Sequence, residues 1–122
     1  METDKYDYSP GLHKLLTLKV TDADKLTDVT AFKKFTDSIL ATYGLEEVGF
    51  SKHIFENNSF TAAVCLKESH ICIHTWPEFG QLTLDVYLCN YMQDNAPKVR
   101  LVAQDYIEYF DAETLKDVEV NR

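Results

Sequence analysis

Between Lys67 and Asn90 the chain gathers a hydroxyl, imidazoles, carboxylates and a thiol around a Pro77/Gly80 turn, in the run KESHICIHTWPEFGQLTLDVYLCN. The bond between Glu68 and Ser69 is the one to which these groups could do chemistry. A serine hydroxyl can attack the carbonyl of the peptide bond that precedes it, converting amide to ester. Removal of the serine α-proton then expels the upstream carboxylate and leaves a dehydroalanine. Water converts that group, with loss of ammonia, into a pyruvoyl cap on a new N-terminus. Such a sequence needs a base for the α-proton and donors for the oxyanion that forms at the carbonyl. His70 and His74 supply imidazoles, and Ser59 and Thr61 supply hydroxyls.

Each of these residues also has a plainer reading. A lone serine at a strand edge is ordinary, and only its surroundings set Ser69 apart. His70, His74 and Glu78 are spaced four apart, which on a helix would gather them on one face as metal ligands. Pro77 and the β-branched neighbours argue for extended chain instead, so no metal is expected, and His70 is expected to support the site or the structure. Free cysteines are commonly small buried hydrophobes, and Cys65 and Cys72 read that way. Cys89 differs: strict alternation puts it with Asp85 and Tyr87, opposite the apolar row Leu82, Leu84, Val86 and Leu88. Glu78 and Phe55 read by default as a solvated turn carboxylate and a core aromatic.

The elements that must position these groups follow from periodicity. Leu12 to Val20 reads as a strand, and Asp28 opens a helix carrying Val29, Phe32, Phe35, Ile39 and Tyr43 at helical spacing, with Gly44 as its stop. Glu46 to Glu56 is strand-like, Asn57-Asn58 is a hairpin turn, and Phe60 to Leu66 is the next strand. A polar break at Lys67-Glu68 leads into Ser69 to Trp76. The alternating Leu82–Leu88 row makes another half-buried strand. After a polar turn from Gln93 to Asn95, Pro97 suits a first helical turn, and Val99, Val102, Tyr106 and Phe110 mark one helix face. Thr114 to Val120 reads as a last strand. Strand, helix, several strands, helix, strand predicts an α+β fold: a two-layer sandwich of a largely antiparallel sheet with helices on one face. Along a regular strand Ser69 and His74, five apart, would point to opposite faces.

The whole chain, 122 residues, is long enough for one domain and too short for two. A net charge of -8 disfavours nucleic acid or an anionic membrane as partner, since both would repel it. Three cysteines without a CxxC pair suit neither a disulfide framework nor a zinc knuckle and point to a reducing compartment. Residues 1 to 10 read as a polar tail without the basic segment and apolar run of a signal peptide. No stretch approaches the roughly 20 apolar residues of a membrane span, and a cytoplasmic location is expected.

The run from Glu68 to Gly80, ESHICIHTWPEFG, resembles the ESH–x–x–IHT–aromatic–PE–aromatic–G signature of prokaryotic S-adenosylmethionine decarboxylases. Asp85 to Cys89 is similar to that family's following strand, which ends in a catalytic cysteine. The likeness extends more weakly from about Leu12 to Val120. It implies a proenzyme that cuts itself at Glu68-Ser69 into residues 1–68 and 69–122, with Ser69 becoming the covalent pyruvoyl cofactor. It further implies His74 as proton acceptor in processing, Thr61 as a processing aid where a serine is usual, and Cys89 as proton donor to the product. Glu78 would hold the ribose hydroxyls of S-adenosylmethionine, and Phe55 would offer its ring to the adenine. Decarboxylated S-adenosylmethionine, the aminopropyl donor for spermidine, would be the product, and the family is homodimeric. Asn90 stands where the family has glycine, Leu88 where it has a small polar residue, and the Glu56–Ser59 turn lacks the usual Pro/Gly character. These departures leave room for relatives' substrates, arginine or ornithine. A non-catalytic α+β paralogue that binds a ligand or partner is disfavoured by the intact Ser69, His74 and Cys89.

Overall fold

The computed structural model describes residues 10–90 and 93–122, so all of the expected N-terminal tail but Pro10 lies outside the described residues. In chain order the elements are β1 (Leu12–Lys19), α1 (Val29–Tyr43), β2 (Glu47–Ile54), β3 (Phe60–Leu66), β4 (Ser69–Trp76), β5 (Gln81–Leu88), α2 (Ala96–Tyr109) and β6 (Glu113–Asn121). Two 3-10 turns, Ala23–Leu26 and Pro77–Phe79, had no counterpart in the periodicity. The strands form one six-stranded sheet in the order β2-β3-β4-β5-β1-β6, and every neighbouring pair is antiparallel. The expected α+β sandwich is the architecture observed.

Local chemistry explains the boundaries. Asp28 caps α1 by accepting from the Ala31 N–H at 2.9 Å, and Gly44 ends the helix in the left-handed conformation at φ 67°. Asn58, at φ 68°, makes the tight turn between β2 and β3. Alternation then decides the layers. Phe60, Ala62, Val64 and Leu66 of β3, Ile71 and Ile73 of β4, and Leu82, Leu84, Val86 and Leu88 of β5 are all buried on one sheet face. Each buried branched aliphatic contributes about 1.5–3 kcal/mol. The helices cover this face: Phe32 of α1 meets Phe60 at 5.7 Å between ring centroids and stacks on Tyr106 of α2 at the same distance. A buried 2.6 Å hydrogen bond joins the hydroxyls of Thr36 and Tyr106 and so the two helices.

The opposite face carries His13, Leu15, Thr61, Ala63, His70, Cys72, His74, Asp85 and Tyr87, and no element among the described residues packs over it. At one edge β6 pairs, among the described residues, only with β1, and every one of its residues is exposed. Charge ties it down. Lys14, buried on the helix side of β1, meets Asp117 at 2.8 Å and Glu119 at 2.9 Å, and Arg100 of α2 makes two 3.0 Å bonds to Glu119.

Candidate active site

The Glu68–Ser69 bond sits at the tip of the β3–β4 hairpin. Leu66 pairs with Ser69, so Lys67 and Glu68 form a two-residue connection, and Glu68 takes a left-handed φ of 58°. For a residue with a Cβ that conformation costs about 1–2 kcal/mol, which glycine would avoid. The half-buried Ser69 Oγ accepts the Cys89 backbone N–H at 2.9 Å, and the Cys89 thiol lies 3.5 Å from Glu68 Oε1. The chain therefore brings serine, cysteine and upstream carboxylate together from the start of β4, the residue after β5 and the β3–β4 turn. Gly11 makes this approach possible, because a Cβ there would stand 2.4 Å from the Leu88 carbonyl oxygen and 3.3 Å from the Cys89 Cα. Clefts open on either side of Ser69, one of about 350 Å³ towards Leu45, Glu46 and Lys67 and one of about 690 Å³ towards His70, Tyr87 and Arg122.

His74 belongs to a different place. It pairs across the sheet with Thr61, whose hydroxyl lies 2.9 Å from His74 Nδ1. Trp76 is alongside, 6.0 Å between ring centroids, and Phe55 packs edge-on against His53 at 4.6 Å. A cleft of about 290 Å³ runs between Phe55, Thr61, His74 and Trp76. Glu78 is exposed in the following 3-10 turn, at the same end of the sheet. Ser59, also considered as an oxyanion donor, is occupied by its 2.6 Å contact with Asn57 Oδ1.

Thus Phe55, Thr61, His74 and Glu78 gather at one end of the sheet, while Glu68, Ser69 and Cys89 gather at the other. Strand β4 runs without a register shift between its neighbours, so five residues at about 3.3 Å each separate Ser69 from His74 by roughly 17 Å. They also belong to opposite rows, Ser69 with Ile71 and Ile73, His74 with the uncovered face. No register shift in β4 brings the two residues to the same face.

His70 lies between the two groups, its ring 5.6 Å from Tyr87 and 5.4 Å from His13. Burial, followed by the proximity of His13, lowers its pKa and favours the neutral ring. His13 Nδ1 accepts from Arg122, and its Nε2 lies 3.7 Å from Asp85. Burial raises the pKa of the Cys72 thiol and keeps it protonated. Among the described residues, no three His, Cys, Asp or Glu side chains converge as a metal site would.

Two supporting residues escaped the sequence reading. Thr75 is buried, donates to the Leu26 carbonyl at 2.8 Å and accepts the Phe60 N–H at 2.9 Å, tying the His74 end of β4 to the turn before α1. A polar residue in phase with Ile71 and Ile73 was the available signal. Gly11 left none, because its neighbours come from β5.

The family model described as S-adenosylmethionine decarboxylase matches residues 12–122. An S-adenosylmethionine decarboxylase proenzyme of Aquifex aeolicus is 37% identical over 97 residues, 80% of this chain and 68% of the relative. Another from Geobacillus kaustophilus is 35% identical over 115 residues, 92% of this chain and 86% of the relative. A crystal structure titled as the adenosylmethionine decarboxylase from Aquifex aeolicus superposes with a TM-score of 0.77 at 27% identity, covering 95% of this chain and 91% of that one.

Proposed function

The chain belongs to the S-adenosylmethionine decarboxylase family, and from that premise we propose that it cuts itself at Glu68–Ser69 and then removes the carboxyl group of S-adenosylmethionine as carbon dioxide. The observation that carries the reading is the 2.9 Å bond from the Cys89 N–H to Ser69 Oγ, at a peptide bond whose upstream residue is held left-handed. An N–H aimed at the oxygen favours negative charge developing there, and the strained turn holds the Glu68 carbonyl beside it.

Ser69 is the precursor of a pyruvoyl group, and its surroundings suit one. The residue is half-buried, opens on two clefts, and has a cysteine thiol within the same group of side chains. Once formed, that ketone supplies the electron sink for decarboxylation. Cys89, beside Glu68, delivers its thiol proton to the substrate carbon after carbon dioxide has left. Glu78 takes the ribose hydroxyls and Phe55 the adenine. Decarboxylated S-adenosylmethionine, an aminopropyl donor for spermidine, is the product.

His74, assisted by Thr61, acts as the base in processing, but not on its own chain's Ser69. We assign it to Ser69 of a second copy. In a two-fold dimer with the uncovered sheet faces stacked and their ends reversed, one protomer's Phe55–Thr61–His74–Glu78 group meets its partner's Glu68–Ser69–Cys89 group through the cleft by which Ser69, at the hairpin tip, opens towards His70 and Tyr87 on that face. Support comes from the roughly 17 Å between the two groups and from Val118, Val120, Trp76 and Phe55, all exposed on that side. The unbridged Cys65 and Cys72 thiols favour a reducing, cytoplasmic setting.

The test is an intact-mass measurement beside carbon dioxide release from S-adenosylmethionine, arginine and ornithine. Two fragments divided at Glu68–Ser69, with release from S-adenosylmethionine alone, are expected. An uncut, inactive chain would overturn the reading, and release from arginine or ornithine would overturn the substrate.

A further inference from the structure

Cys89 lies one residue beyond the end of β5, where strand pairing has stopped. Side chains hold it instead. Asn95 Nδ2 donates to the Cys89 carbonyl at 2.7 Å, while Asn95 Oδ1 accepts from Gln93 Nε2 at 3.1 Å. The Asn95 backbone N–H donates to Asn90 Oδ1 at 2.8 Å, and Asn90 Nδ2 donates to the Pro10 carbonyl at 2.8 Å. Both side-chain amides are used at each end, and together they tie Cys89 to the start of α2 and the entry of β1.

Asn95 occupies the position before α2 where an asparagine ordinarily caps the helix, accepting a backbone N–H of the first turn. Its side chain makes no such bond; the Ala96 N–H is taken by Asp94 Oδ1 at 2.9 Å. A residue suited to capping is turned away from its helix and onto Cys89. The Cys89 residue is then gripped on both sides of its Cα, through its N–H by Ser69 Oγ and through its carbonyl by Asn95. With both flanking peptides fixed, the Cα–Cβ bond that carries the thiol is held in one place and direction beside Glu68.

We propose that Asn90 and Asn95 are positioning residues that clamp the Cys89 backbone, keeping its N–H on Ser69 Oγ and its thiol beside Glu68. The inference rests on the assignment of Ser69 and Cys89 made above. Asn95→Asp is nearly isosteric but sets an acceptor against the Cys89 carbonyl; Asn90→Asp keeps the acceptor for Asn95 N–H and loses the donor to Pro10.

Two measurements decide it. The first is the rate of Glu68–Ser69 cleavage after cell-free synthesis, followed by intact mass. Each variant should slow it by about tenfold, the equivalent of one well-placed hydrogen bond. The second uses the uncleavable Ser69→Ala chain, in which only the asparagine side of the grip remains: iodoacetamide labelling at Cys89, resolved by peptide mass, should become several times faster when Asn90→Asp or Asn95→Asp opens that side too. Asp94→Ala, which uncaps α2 without touching Cys89, should leave both rates within about twofold, since an exposed cap affects helix stability only. Unchanged rates in Asn95→Asp, or equal changes in Asp94→Ala, would overturn the clamp. Failure of the parent chain to cleave would instead refute self-processing, and labelling alone would then judge the clamp.

Discussion

Cys89 offers two different groups to the site, and a substitution separates them. Its backbone N–H reaches Ser69 Oγ, while its thiol approaches Glu68. Cys89→Ala removes only the thiol, so the precursor should still cleave, at least in part. Decarboxylation by the cleaved protein should fall by about a hundredfold or more, the contribution of a positioned proton donor. Fragment yield by intact mass, measured beside carbon dioxide release from carboxyl-labelled substrate, checks both halves; unaltered turnover would return the thiol to a packing role. Ser69 and Cys89 could be picked out of the sequence because a local run and a two-residue alternation mark them. The contact between them could not, since it depends on the pairing of β4 with β5 and on a turn beyond β5. The same holds for Gly11, whose missing side chain is needed only because the Leu88 carbonyl passes above it.

Among the elements, β6 is the most dependent on charge. With all its residues exposed and a single neighbouring strand among the described residues, it gains little from burial, and beyond its ladder with β1 it is held by the Lys14, Arg100, Asp117 and Glu119 cluster. Hydrogen bonds from Arg100 and then Lys14 hold the Glu119 carboxyl at about 2, against an ordinary 4.5. A carboxylate depressed on folding stabilises the folded state above its unfolded pKa, and that contribution is lost as pH falls through the folded one. The difference in urea midpoint between the parent and Glu119→Gln should therefore be full at neutral pH and shrink between 4.5 and about 2. A gap that persists at the acid end would place the stabilisation elsewhere. For Lys14, burial alone would lower the pKa, but the bonds to Asp117 and Glu119 outweigh it and leave it raised, so its contribution persists until alkaline pH. The strands and both helices could be read from alternation, from the Asp28 cap and from the Gly44 stop. The sheet order could not, because β1 takes its place between β5 and β6 through contacts distant in sequence, and neither 3-10 turn carries an apolar period.

At the scale of the molecule, the separation of Ser69 from His74 has a direct genetic test. A chain carrying Ser69→Ala cannot be cut, and in a site shared between protomers a chain carrying His74→Ala cannot cut its own kind. Co-expressed, they form mixed dimers in which one site joins an intact Ser69 to an intact His74. Cleavage of the His74→Ala chain should appear only in the mixture and reach at most about half of it if the copies pair at random in two-fold dimers. Cleavage of His74→Ala alone would remove the base role from His74. The strand order carries one more consequence. Residues 1–68 supply β1, β2 and β3, residues 69–122 supply β4, β5 and β6, and β1 lies between two strands of the other piece. The halves are thus interleaved, joined by the β3–β4, β1–β5 and β1–β6 ladders. If the proposed cut is made, folding before it is a first-order search by a single chain. Afterwards an unfolded molecule is two solutes, and its recovery becomes second order, slowing with every dilution. The proposed cut would therefore turn a reversible fold into one that dilute solution cannot easily restore.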